Sequence, residues 1–138
     1  MTKPHIAFIC FVCIWLGAAI GANLIAAPAK FTVTALNTAD LVSVGRVQFT
    51  YVGYMELVMG GLATACILIA TKPRGLGYGV TIAAFIAAIL IVLAQRFYIH
   101  PALISEPSAF LHRTYVSLEI IKVAALAVVL LFLARACS

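Results

Sequence analysis

Apolar residues fill this chain in four long runs, and polar residues collect in the gaps between them. The runs cover about Ile6 to Ala27, Gly45 to Ala70, Tyr78 to Ala94 and Leu111 to Ala134. About 20 apolar residues carry an α-helix across a bilayer core, so each run is read as a transmembrane span. The first is too long for a signal-peptide core of roughly 7–15 residues. Pro28 is expected to end that span. Thr38-Ala39-Asp40 offers a helix start before Leu41, within a polar connection that has room for a short interfacial helix. The turn after the second run, Thr71 to Gly77, is punctuated by Pro and Gly. It is short enough to make the second and third spans an antiparallel hairpin. Gln95-Arg96-Phe97-Tyr98 places aromatic and basic residues where an interface is expected, and His100-Pro101 reads as a turn. The predicted architecture is all-α: one transmembrane domain over residues 1–138, an integral membrane four-helix antiparallel bundle.

Polar positions inside the runs are periodic. Arg46, Phe49, Gly53, Glu56 and Gly60 recur at steps of three and four, which is one face of a helix. His112, Tyr115, Glu119 and Lys122 do the same on the last helix. A charge at mid-bilayer costs ~2.5–3.5 kcal/mol on insertion scales, so such faces turn towards protein or water rather than lipid. At ~1.5 Å per residue, Glu56 and Lys122 each lie roughly 15 Å from the same rim. That depth is near the middle of a ~30 Å core. Opposite charges at one depth predict a Glu56–Lys122 ion pair, with Arg46 or Arg96 meeting Glu119 nearer the rim. The candidate site is therefore a polar pocket of Arg46, Glu56, Arg96, His100, His112, Tyr115, Glu119 and Lys122. The competing reading is an ion-pair network that only fixes helix register. Gly17 and Gly21, with Cys13 before them, form a stripe of small residues that is expected to pack inside the bundle.

Composition narrows the function. Of 138 residues, 65% are hydrophobic and only 9% charged, against roughly 25% charged in soluble domains. The net charge of +5 is spread along the chain, not gathered into the patch a nucleic-acid binder presents. Basic residues flanking the spans suit anionic lipid instead. Lys3, Lys72, Arg74 and Arg135 fall on the terminus side, and Lys30, Arg46, Arg96 and Arg113 on the other. The positive-inside rule is thus tied. The amino terminus tips the orientation towards both termini being cytoplasmic, in a bacterial inner membrane.

Candidate chemistry is sparse. Cys10 and Cys13 form a C-x-x-C within an apolar helix, and Met55, Met59 and Cys66 are soft donors at a similar level. Redox use of that motif goes with a thioredoxin-like context, which is missing. Packing accounts for these thiols, and no metal is assigned. His100 and His112 are awkward as a haem pair, because axial ligands face each other across a bundle rather than flank one loop. There is no Gly-rich phosphate loop, no G-x-S-x-G and no nucleophile–base–orienter trio. No catalytic residue and no cofactor follow. The chain reads as a non-enzymatic, small-ligand-binding or transport-related protein, expected to act as a homo-oligomer or within a larger membrane complex. The alternatives are an accessory subunit with no ligand, and a redox protein using haem or thiols.

Four short motifs add a resemblance. They are Gly17 followed by Ala27-Pro28, Gly45-Arg46-Val47-Gln48-Phe49, Arg96-Phe97-Tyr98-Ile99-His100-Pro101, and Phe110-Leu111-His112-Arg113-Thr114-Tyr115. Together they span nearly the whole chain, which resembles the transmembrane protein 205-like family of small membrane proteins. The resemblance implies an integral four-helix membrane protein. It implies little more about biochemistry; a eukaryotic relative is linked to drug export, which fits a transport reading. This chain lacks that relative's long segment before the last helix.

Overall fold

The computed structural model describes residues 3–70, 76–106 and 108–137. Lys72, Arg74, Pro107 and the Cys137 side chain lie outside the described residues. Among the described residues are four helices long and apolar enough to cross a membrane: Lys3–Thr32, Thr38–Ile69, Gly77–Ser105 and Ala109–Arg135. The all-α membrane bundle expected from the four runs is the fold.

Neighbours run antiparallel, as pairs of contacts show. Trp15 reaches Glu56 while Gln48 reaches Ala22. Gly53 faces Arg96 while Gly60 faces Ile89. Gln95 reaches Glu119 while Gly77 faces Phe132. The tightest packing is first helix on second and third on fourth, and the two pairs meet more sparingly. The second and third helices are thus antiparallel, as their short turn requires, but they are not each other's closest partners.

Each helix buries a narrow seam. On the fourth it is Tyr115, Glu119, Lys122, Leu126 and Val129, with steps of four, three, four and three. On the third it begins Thr81, Phe85, Ala88, Val92, Gln95, with steps of four, three, four and three again. This is the spacing of helices packed nearly parallel to one another's axes. Much of the remaining circumference is exposed and apolar, Ile14, Val58, Ile86 and Ile120 among it, as lipid contact demands. The seam has a dry half on the terminus side. There Phe8 and Trp15 set their ring edges against Phe85 at 5.1 and 6.4 Å, beside Ala63, Leu126 and Val129.

Both prolines expected to break helices lie within them. The first helix is α-helical over Lys3–Ala18, π-helical over Ala19–Ala26 and α-helical again over Ala27–Ala29. It closes in a 3-10 turn, Lys30–Thr32. The third is π-helical over Gln95–Ile99 and resumes as α over His100–Ser105. Proline lacks an N–H and its ring crowds the carbonyl four residues back. Wider π turns just before Pro28 and Pro101 relieve that conflict, an adjustment membrane helices tolerate when neighbours satisfy the freed groups. Here the Gln48 amide donates to the Ala22 carbonyl, which also accepts the π bond from the Ala27 N–H. Pro28 therefore does not end the first span, and His100-Pro101 is not a turn.

The other ends follow capping rules. Asn37 accepts the Asp40 N–H at 2.9 Å, starting the second helix at Thr38 and leaving no separate interfacial helix before it. Its 32 residues are more than a ~30 Å core requires at ~1.5 Å each, which leaves length for tilt or for ends beyond the core. Ser108 caps the fourth helix through Oγ, which accepts the Leu111 N–H at 3.1 Å.

Candidate functional site

The site grows from one residue. Lys122 is fully buried, and its Nζ donates to three acceptors. These are Glu56 Oε1 at 2.6 Å, Glu119 Oε2 at 2.8 Å and Gln95 Oε1 at 3.1 Å. An ammonium has three N–H bonds, and each has a partner. Glu119 comes from one turn earlier on the same helix, Glu56 from the second helix and Gln95 from the third. The predicted Glu56–Lys122 pair is present.

Gln95 orients the centre. Its Oε1 faces the lysine, while its Nε2 donates to Glu119 Oε2 and to the Tyr115 carbonyl, both at 3.1 Å. The reverse amide orientation would set oxygen against carboxylate and N–H against ammonium. Trp15 adds the first helix, its indole N–H donating to Glu56 Oε1 at 3.3 Å. Gly60 makes room for that indole, because a Cβ there would meet the Trp15 ring at 3.4 Å and Ile89 at 2.8 Å. All four helices therefore converge on one charged group.

Two carboxylates share one ammonium. With all three ionised the trio carries a net charge of −1, at 0–3% side-chain exposure. Among the described residues, both hydrogen bonds to Glu56 end on Oε1, and Glu119 Oε1 is buried with no partner. The nearest further cation, Arg96, makes no ion pair with either among the described residues. Its guanidinium carbon sits over the Tyr54 ring, 4.2 Å from the centroid, and the group contacts His100 Nδ1 at 3.4 Å.

Between these groups lies a small pocket bordered by Glu56, Gln95, Arg96, His100, Tyr115 and Gly53. Phe49 closes one wall, its ring tilted against Tyr115 at 5.2 Å. The free volume is about 10 Å³, the room of a single water.

Of the predicted site residues, Glu56, Glu119 and Lys122 form the centre, and Arg96, His100 and Tyr115 border its pocket. The other two stand outside. The Arg46 side chain is exposed because the seam of the second helix passes through Gly45 and Phe49, and only its backbone meets the pocket, at His100. His112 is exposed because packing along the fourth helix begins at Tyr115. The expected contact of Glu119 with Arg46 or Arg96 is replaced by Lys122 and Gln95. Gln95, assigned to the interface from its place at the end of an apolar run, is 3% exposed. Neither Gln95 nor Trp15 was marked by charge; the signal for Gln95 was its step of three from Val92. His100 and His112 do not share a site, and Cys10 and Cys13 face outward while Cys66 packs on the core. Comparison with protein-family models, curated proteins and solved structures finds no match to this chain.

Proposed function

We propose that this protein is transport-related, with the Glu56–Lys122–Glu119 trio as an intramembrane site that takes up a proton or a small cation. One observation carries the reading: a buried centre has one carboxylate more than it has ammonium groups. Two carboxylates at one buried position do not both stay bare, so the excess charge is met by a proton or a cation. A network built only to hold helices is served better by a neutral pair. The resemblance to the transmembrane protein 205-like family, with its export-linked relative, points the same way. We extend the proposal to assembly, as a homo-oligomer or within a larger membrane complex, since four helices enclose little private pathway.

The test is proteoliposomes carrying a pH-sensitive dye, challenged with a panel of small amines and weak acids. Wild type is expected to move protons in response to at least one solute. Glu119→Gln, which leaves a neutral Glu56–Lys122 pair, is expected to lose at least about tenfold of that rate, ~1.4 kcal/mol on the barrier. Equal proton movement in wild type and Glu119→Gln would overturn the proposal.

A second reading has its own support. The pocket holds no more than a water, which suits an accessory subunit whose polar centre only sets helix register. It requires that the trio be replaceable by neutral residues without loss of any activity.

A further inference from the structure

The next inference rests on the reading that the trio holds an exchangeable proton, and it concerns where that proton meets water. The two sides of the trio differ. Towards the termini it is covered by Trp15, Ala63, Phe85 and Leu126, none more than 3% exposed. Thr81, a buried polar residue of that half, turns its hydroxyl back to the Gly77 carbonyl of its own helix at 2.9 Å. Among the described residues, the layer next to the trio on that side is otherwise apolar.

The opposite side is polar and incompletely satisfied. The pocket begins at Glu56 and continues past Tyr115 to Arg96 and His100. Among the described residues, Asn23 Oδ1 and Nδ2 and Glu119 Oε1 are buried polar atoms without a hydrogen-bond partner, and His100, which meets the Arg46 backbone, borders the pocket. Asn23 follows Ala22, which pairs with Gln48, so it too lies on the His100 side of Glu56. A buried polar group left unpaired costs roughly 1–3 kcal/mol. Bridging water is the ordinary remedy where a cavity is polar and large enough.

We propose that water enters from the His100 side, through the pocket between Arg96, His100 and Tyr115, and ends at Glu56, so that the trio's proton exchanges with that face of the membrane alone. The step is a balanced swap. A carboxyl O–H passes its proton to the pocket water while that water returns another, and the net charge of the trio does not change. Lys122 touches both carboxylates, so the proton belongs to the trio jointly rather than to one oxygen.

The experiment is infrared spectroscopy of the protein in lipid, following the protonated-carboxyl band after mixing into D2O. Wild type is expected to show the band, and Glu119→Gln to lack it. Gly53→Ala places a methyl 3.3 Å from Arg96 Cδ, in the pocket wall. His100→Leu makes the mouth apolar without adding bulk at a helix contact. Both are expected to keep the band and slow its isotope shift by about an order of magnitude, since an apolar lining removes the water's partners. Thr81→Val, on the dry side, is expected to exchange at the wild-type rate. A band whose exchange neither pocket variant slows, or which Thr81→Val slows, overturns the route. Absence of the band from wild type overturns the shared proton itself, a separate failure.

Discussion

Lys122 is the residue whose loss separates structure from function. Its ammonium is held by three acceptors from two other helices and its own. Lys122→Met alone leaves two buried carboxylates facing each other, and breaking a buried pair costs about 3–5 kcal/mol. Replacing the whole group by neutral residues of similar size is often nearly neutral. Thermal unfolding in mild detergent should therefore show a large loss for Lys122→Met. It should show most of that loss recovered in the triple variant Glu56→Gln, Glu119→Gln, Lys122→Met. A triple variant no more stable than the single would mean that the ion pairs stabilise the bundle outright. Gln95→Leu is a second probe, since it removes hydrogen bonds to both charge signs, each worth ~1.5–3 kcal/mol when the partner is charged. The ion pair was legible in the sequence because charge and depth are both written there. Gln95 and Trp15 were not, since an uncharged amide or indole at a run's edge has no partner that hydropathy alone requires.

At the scale of helices, the π segments decide which residues face inward. Along the third helix the buried steps are three and four until Gln95, and then the next buried residue is His100, five positions on. A continuous α-helix would turn position 98 or 99 inward and leave His100 outside. The extra residue thus places His100 in the pocket. Plain 3.6-residue periodicity cannot see this, and it is why the four spans were readable while the stretch from Gln95 to Pro101 was mistaken for an interface and a turn. Deleting exposed Tyr98 together with Pro101→Ala converts the step of five to four and removes the ring that needed the wider turn. That variant should fold and keep the third-helix histidine, His100 in the parent chain, unreactive to diethyl pyrocarbonate, as read by peptide mapping, while exposed His112 reacts. Deleting Leu90, within regular α-helix, rotates everything beyond it by about 100°. That variant should fail to pack, and equal stability of the two deletions would refute the role given to the π turn.

For the molecule as a whole, the first helix has two usable faces, and the bundle takes only one. Its seam runs Phe8, Val12, Trp15, Ala19. Gly17 lies two residues from both Trp15 and Ala19, about 200° around the helix from each, so a bundle that buries the tryptophan turns the glycine outward. The expectation that Gly17 and Gly21 pack within the chain is therefore corrected: a Cβ at either would meet nothing within 4 Å. By contrast Gly53 and Gly60, on the second helix, do hold close approaches to Arg96, Ile89 and Trp15. In lipid, helices associate through close packing of small residues rather than through the hydrophobic effect. If the protein works as a homo-oligomer, the Gly17/Gly21 face is where two copies come closest. Gly17→Leu with Gly21→Leu should then abolish energy transfer between differently labelled copies in the same vesicles. It should leave the unfolding temperature unchanged, because no contact within the chain is lost. Gly60→Leu should do the reverse damage, since its side chain would run into Ile89 and Trp15 and unseat the indole that reaches Glu56. Energy transfer that survives the double leucine variant would move the association to another face. A falling unfolding temperature in that variant would mean that the glycines serve the fold of the single chain.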